Sequence, residues 1–138
     1  VSEGMIMLCT KCILAPHTPA DGIRISVMSR HTLSDGITPD VRISQKSFTY
    51  HFSAFGPSAR LIGDYYKHGL PFEEFAERYY QEMSAPHVLM YVRRIARVAL
   101  CSTVTLLCIE HDPFFCHRQL LAALMRMEVP ELEIAHCW

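Results

Sequence analysis

The chain has 138 residues, of which half are apolar and a fifth are charged, a composition typical of a compact globular domain. Thirteen Lys and Arg stand against fourteen Asp and Glu, so the formal net charge is −1 and there is no global basic field that would draw the chain onto nucleic acid. No apolar run approaches the ~20 residues of a membrane-spanning helix. We therefore expect one domain over residues 1–138, no membrane segment and a cytoplasmic location, with residues 1–4 a remnant of expression.

Two short segments near the start are rich in β-formers, "MIMLCT" (5–10) and "IRISVMS" (23–29). The turn signal "PADG" separates them, so both are predicted strands. The polar stretch 30–56 has no sustained period, which predicts a long loop. Within it, "KSFTYHF" (46–52) interleaves aromatic and polar residues, and this pattern favours a half-buried strand over a surface that stacks nucleic-acid bases.

Three helices are predicted next. The first, 56–69, has Pro57 in its first turn and Gly69 as its stop. The second, 71–83, is the clearest amphipathic helix, because large apolar side chains recur along one stripe. The third helix follows "SAP", and Arg93, Arg94 and Arg97 are predicted to form its solvated basic face.

The segment "STVTLLCI" (102–109) is continuously apolar and β-branched, which predicts a central strand buried on both faces. Asp112 is the predicted N-cap of a following helix, with Pro113 at its first position. The predicted apolar face of that helix consists of Leu120, Leu121, Leu124 and Met127. A short strand is predicted in "LEIAHCW" (132–138). Alternating strands and helices predict an α/β fold with a small, mostly parallel sheet and packed helices.

The stretch "CIEHDPFFCHRQL" (108–120) joins that central strand to the last helix, and ligands of such sheets bind beyond the carboxyl ends of the strands. Cys116 is expected in the first turn of the helix, where N–H groups, His117 and Arg118 would lower its pKa, whereas Cys108 is expected to be desolvated and inert. The stretch therefore fits a thiolate nucleophile or an anion site. It also fits a small apolar cysteine that only packs inward.

Metal binding competes for the same atoms, because Cys108, His111, Cys116 and His117 are all acceptable zinc ligands. Cys108 is expected inside a strand and Cys116 on a separate helix, whereas a structural zinc site needs four converging ligands. The Cys9-x-x-Cys12 spacing, within a strand, puts its two side chains on opposite faces. We therefore expect no metal and no cofactor, and reduced thiols in the absence of an export signal.

The stretch "VTLLCIEHDPFFCHRQLLAALM" resembles the C-terminal signature of the domain-of-unknown-function 488 (DUF488) family, a buried strand ending in Cys-x-Glu followed by Cys-His-Arg and a helix. Upstream, "ISVMSR" and "GPSARLIGDYYKHGLPFEEFAERYYQEM" resemble the family's Ser-Arg strand end and its Pro-Ser and Tyr-Lys-x-Gly helices, so the resemblance covers most of residues 5–127. It implies a polar cluster with Cys108 as the companion cysteine. The members of that cluster are Arg30, Glu110, Cys116, His117 and Arg118.

The chain departs from the family pattern at two places. His111 stands where a lysine is often found, and the first strand carries Cys9, Lys11 and Cys12 where Tyr or Ser is usual. These departures leave the Cys-His-Arg joint unchanged. The resemblance implies a site without naming a reaction.

The functional hypotheses follow from this cluster. The first is a small cysteine-dependent enzyme that uses Cys116, His117 and Glu110 for catalysis and Arg30 and Arg118 to bind an anionic or phosphate-bearing substrate. The second is a non-catalytic module that binds a nucleotide or nucleic-acid phosphate through the same arginines, and the third is a purely structural joint. Since Arg30 and Glu110 end predicted neighbouring strands, we also expect them to pair beside Cys116.

Overall fold

The computed structural model describes residues 6–110, 112 and 115–137. The strands are β1 (Leu8–Cys12), β2 (Ile23–Ser26), β3 (Tyr50–His51), β4 (Val104–Cys108) and β5 (Ile134–His136). The helices are α1 (Ala59–His68), α2 (Phe72–Met83), α3 (Pro86–Val98) and α4 (His117–Glu128). The five described strands form one sheet in which all strand pairings are parallel, in the order β3-β2-β4-β1-β5. The predicted α/β fold with a mostly parallel sheet is therefore confirmed.

Strand β4 lies at the centre of the sheet, as predicted, and all five of its residues are buried. β2 lies on one side of it, with Ser26 opposite Leu107, and β1 on the other, with Cys12 opposite Cys108. A strand covered on both faces has no solvent-facing side, which explains the uninterrupted apolar run. The parallel register brings the carboxyl ends of β1, β2 and β4 to one edge.

Helix α4 packs against β1 and β4, and α2 and α3 pack in turn against α4. The three predicted leucines of its apolar face are buried, but Met127 is 72% exposed. Met125 is buried instead, because it lies one turn after Leu121 on the covered face. The basic residues predicted on the solvated side of α3 are exposed.

Two predicted helix starts differ from the structure. α1 begins after Ser58, whose hydroxyl accepts a hydrogen bond from the N–H of Leu61, so Pro57 precedes the helix; Gly69 ends it with φ +68°, as predicted. The prediction of Asp112 as the N-cap of α4 is wrong, because the helix begins at His117 and Cys116 is its N-cap. Pro113 lies outside the described residues.

The predicted loop 30–56 contains, near its end, the two exposed residues of β3 and a 3-10 turn over Ser53–Phe55. The predicted half-buried strand at 46–52 is thus reduced to a short edge strand. Residues 1–4 lie outside the described residues, and their origin stays a prediction. Within the part of the chain that the structure describes, no helix has the length and apolar character needed to cross a membrane.

Candidate functional site

The candidate site lies at the carboxyl edge of the sheet, where three chain segments meet. Cys108 is the last residue of β4, Cys116 is the N-cap of α4 and His117 is its first residue, and the main chain just beyond β2 supplies Val27. Both cysteines and the histidine are buried. A strand end, a helix start and a neighbouring strand converge here because β2 and β4 are adjacent and parallel.

His117 is the centre of this cluster. Its Nδ1 lies 3.8 Å from Cys108 Sγ and 3.9 Å from Cys116 Sγ. Its Nε2 lies 2.7 Å from the main-chain oxygen of Val27, and since a carbonyl can only accept, Nε2 carries the hydrogen. In the neutral ring Nδ1 is then the basic nitrogen, and it faces both sulfurs.

The pKa values of the two thiols shift in opposite directions. A hydrogen bond from the Cys116 thiol, supported by the N–H of Glu110 and the charge of Arg118, lowers the pKa of Cys108 despite its burial. Burial and the neighbouring Cys108 sulfur raise the pKa of Cys116 well above its ordinary value. Of the pair, Cys108 therefore loses its proton first.

This order is the reverse of the one that the sequence predicts. The prediction places Cys116 inside the first turn of α4, where backbone N–H groups would stabilise a thiolate. Cys116 is instead the N-cap, and its side chain makes no cap hydrogen bond. Cys108 is desolvated, as predicted, but its hydrogen-bond donors outweigh that effect on its pKa.

Burial of His117 disfavours its charged form, but the adjacent Cys116 sulfur and the Val27 carbonyl favour it. The net effect raises the pKa of His117 above its ordinary value. Tyr79 is fully buried, with its ring centroid 5.5 Å from that of His117. Its hydroxyl donates to the Phe55 main-chain oxygen at 2.6 Å, so it supports the histidine ring by packing.

The polar residues of the predicted cluster point in different directions. Arg118 is fully buried and donates through Nη1 to the main-chain oxygen of Glu110. The Glu110 carboxylate, half-buried, accepts a hydrogen bond from the Tyr66 hydroxyl. Arg30 is exposed and donates to the main-chain oxygen of Gly36 at 3.2 Å.

The predicted pairing of Arg30 with Glu110 is therefore absent from the described residues, although both follow adjacent parallel strands. The reason is local. The chain after β2 carries Arg30 outward to the turn at Gly36, while the side chain of Glu110 meets Tyr66 of α1. Arg118, expected to contact a ligand, instead fastens the segment that leaves β4.

A family model described as the active DUF488-N3 subclade matches residues 8–129. The chain belongs to the DUF488 family. No curated protein and no solved structure gives a match. The resemblance noted in the motifs of the sequence is thus confirmed at the level of the family, which by itself assigns no reaction.

Among the described residues of this DUF488 protein, the group that could hold a metal ion lies in the same cluster. The ligand atoms of Cys108, Cys116 and His117 all lie within 4.8 Å of one another. The strand and the helix thus converge more closely than the sequence argument against zinc assumed. His111, the fourth ligand considered, lies outside the described residues, and the expectation of no metal stays a prediction.

Sequence reasoning missed several residues around this DUF488 site. Tyr79 is recognisable only as a core residue of α2, and no local spacing links Tyr66 to Glu110 across 44 positions. A second cluster lies beside β2, where Ser26 Oγ is 2.7 Å from His31 Nε2 and the ring centroids of His31 and His51 are 4.1 Å apart. The His31–His51 contact depends on the pairing of β2 with β3. The Tyr66–Glu110 hydrogen bond depends on the approach of α1 to the end of β4, and neither has a signature in the local sequence.

Proposed function

We propose that this DUF488 protein is a cysteine-dependent enzyme that acts on a small anionic substrate. The observation that carries the proposal is the approach of both sulfurs, Cys108 Sγ and Cys116 Sγ, to one imidazole nitrogen, Nδ1 of His117. A thiol beside a base that a third group orients is the arrangement by which enzymes activate sulfur nucleophiles. The third group here is the Val27 carbonyl.

His117 is the proposed base. Its Nε2–H is fixed on Val27, so Nδ1 faces the thiols and can take a proton from either of them. The raised pKa of His117 favours the resulting imidazolium next to a thiolate. Cys116 belongs to the proposed catalytic set as the thiol that donates a hydrogen bond to the Cys108 thiolate.

Glu110, two residues after Cys108, is the proposed acid–base group, because its half-buried carboxylate accepts a hydrogen bond from the hydroxyl of the exposed Tyr66. Arg118 acts as a positioning residue, since its buried charge favours the Cys108 thiolate while its side chain holds the main chain of Glu110. Arg30, exposed in the loop that follows β2, is the group proposed to meet a negative charge on the substrate.

The burial of both sulfurs favours a small molecule over nucleic acid as the substrate. Cys108 is 3% exposed and Cys116 is 2% exposed, so a bulky polymer could not reach them without unfolding the joint. All six cysteines are free thiols. A reducing compartment such as the cytoplasm is therefore the proposed setting for the reaction.

The test is a pH titration of thiolate ultraviolet absorbance in the wild type, Cys108→Ser, Cys116→Ser and, as a matched control, the exposed Cys101→Ser. We expect one thiolate to form below the ordinary cysteine value of 9.0, to vanish in Cys108→Ser and to persist in Cys101→Ser. If no thiolate forms below that value in the wild type, the site has no activated sulfur and the joint is structural.

The anion part of the proposal has its own test. Inorganic phosphate should slow alkylation of Cys108 in the wild type and lose that effect in Arg30→Ala. Arg97→Ala, which removes an exposed arginine on α3, is the matched control and should keep it. Equal protection by phosphate in both variants would remove Arg30 from the proposed site.

A further inference from the structure

The two site sulfurs form a pair that the proposed activity uses only in part. Both lie within 4.8 Å of His117 Nδ1 and of each other, in a buried cluster that contains no other cysteine among the described residues. A nucleophilic thiolate needs one sulfur and one base. A second buried thiol on the same base is the arrangement that resolves a mixed disulfide.

We propose that Cys108 and Cys116 cycle between dithiol and disulfide by exchange with a small anionic disulfide, Cys108 attacking and Cys116 resolving. This inference rests on the proposed function, because it names the substrate class of that same site. It assigns the second sulfur a chemical role and makes the protein a thiol–disulfide oxidoreductase.

The exchange proceeds in two balanced steps. The Cys108 thiolate, whose proton His117 Nδ1 has taken, attacks one sulfur of the substrate disulfide, whose S–S bond breaks. One half leaves as a thiolate and takes that proton from Nδ1, and the other half stays bonded to Cys108. Cys116 then gives its proton to Nδ1 of His117 and attacks the Cys108 sulfur. The second half leaves as a thiolate and takes that proton, so two electrons have passed from the dithiol to the substrate.

The assignment of the two sulfurs follows from their surroundings. Cys108 receives the N–H of Glu110 and lies in the field of Arg118, so it is the thiol that ionises first and attacks. Cys116 keeps its proton until His117 accepts it, which suits the second step. Closing the pair to the ~2.05 Å of a disulfide needs less than about 3 Å of combined sulfur movement.

A second thiol pair offers an internal comparison. Cys9 of β1 lies close enough to Cys137, beyond β5, for the two to affect each other's charge, and burial together with Cys137 raises the pKa of Cys9 to about 11. No histidine hydrogen bond joins this pair in the part of the chain that is described. We therefore expect it to exchange slowly.

The experiment equilibrates the full chain with graded mixtures of reduced and oxidised glutathione, quenches with an alkylating reagent and locates the products by peptide mass spectrometry. In the wild type we expect a Cys108–Cys116 disulfide while Cys9 and Cys137 are alkylated. In Cys116→Ser we expect glutathione bound to Cys108, at least about tenfold above Cys101. Far-ultraviolet circular dichroism checks that the variant folds, and the wild-type result stands without it.

Three outcomes would overturn the inference. The first is that Cys108 and Cys116 stay reduced although the pH titration of ultraviolet absorbance detects the Cys108 thiolate. In that case only the redox role fails. The second is a Cys9–Cys137 disulfide formed in preference. The third is protection of both site thiols by zinc that a chelator releases, which would make the cluster a metal site. Absence of the thiolate itself would instead remove the proposed function.

Discussion

Asp21 holds together an ion cluster with Arg24 of β2 and Lys11 of β1, and neutralisation of its carboxylate should strongly destabilise the protein. Its Oδ2 lies 2.6 Å from Arg24 Nη1 and its Oδ1 lies 3.0 Å from Lys11 Nζ. The Thr18 N–H and hydroxyl donate to the same carboxylate. The side chain of Asp21 is 8% exposed and that of Arg24 is 2% exposed. Asp21→Asn keeps the shape and removes the charge, which leaves Arg24 as a buried cation beside Lys11.

Removing one partner of a buried ion pair costs about 3–5 kcal/mol of unfolding free energy. Asparagine keeps one oxygen acceptor, so we expect the lower end, about 3 kcal/mol. With a urea dependence of about 1–3 kcal/mol per molar, the midpoint should fall by about 1–3 M. The matched control is Asp64→Asn, whose partner Arg78 lies 2.8 Å away but whose pair is about one-third exposed; it should change little.

The same carboxylate predicts a pH dependence. Burial disfavours the Asp21 carboxylate, but hydrogen bonds from Thr18, Lys11 and Arg24 outweigh it and lower the pKa of Asp21 below its ordinary 3.8. Its contribution is therefore complete above pH 3.8 and is lost as the pH falls through the lower folded value. Urea unfolding at neutral and acid pH measures this. The reasoning would be refuted if Asp21→Asn lost no more unfolding free energy than Asp64→Asn. It would also be refuted if the difference in unfolding free energy between the wild type and Asp21→Asn did not become smaller in acid.

Three further predictions concern the framework around the site. Ser58→Ala removes the N-cap of α1 and should lower the unfolding free energy, measured with urea, by about 1 kcal/mol. An unchanged unfolding free energy would contradict the role of Ser58 as the cap. Tyr79→Phe leaves the Phe55 carbonyl without its buried donor and should cost about 1–2 kcal/mol, a prediction that fails if stability is unchanged. Gly22→Ala should destabilise strongly, because φ is +61° and its new Cβ would lie 2.2 Å from the main-chain oxygen of Thr103; near wild-type stability would contradict it.

Much of the fold can be predicted from the sequence because its signals are local. The continuous apolar run of β4 and the apolar stripes of α2 and α3 depend on the repeat of the side chains along each element. The start of α4 is a different case. Asp112-Pro113 is a good start signal, yet the helix begins at His117 with Cys116 as its N-cap, so the local signal did not decide where this helix begins.

For the candidate site, the sequence predicts which residues belong to it but not how their side chains are arranged. The Cys-His-Arg joint follows a buried strand, so the sequence already indicates that Cys108, Cys116 and His117 belong to one region. It does not indicate that both sulfurs face one nitrogen, or that Arg118 turns inward while Arg30 turns out. Those choices depend on how the backbone folds; the ring of His117, for example, is held by the Val27 carbonyl, which lies 90 positions away along the chain.

The sequence by itself determined the order of strands and helices, the burial of β4 and the place of the polar joint, because periodicity and residue type act along the chain. Only the tertiary structure decided the opposite directions in which the pKa values of Cys108 and Cys116 shift. A pKa depends on neighbours within a few ångströms, and for Cys108 these come from the thiol of Cys116, the N–H of Glu110 and the guanidinium of Arg118. Folding brings these donors to Cys108 rather than to Cys116, and no local pattern encodes that difference.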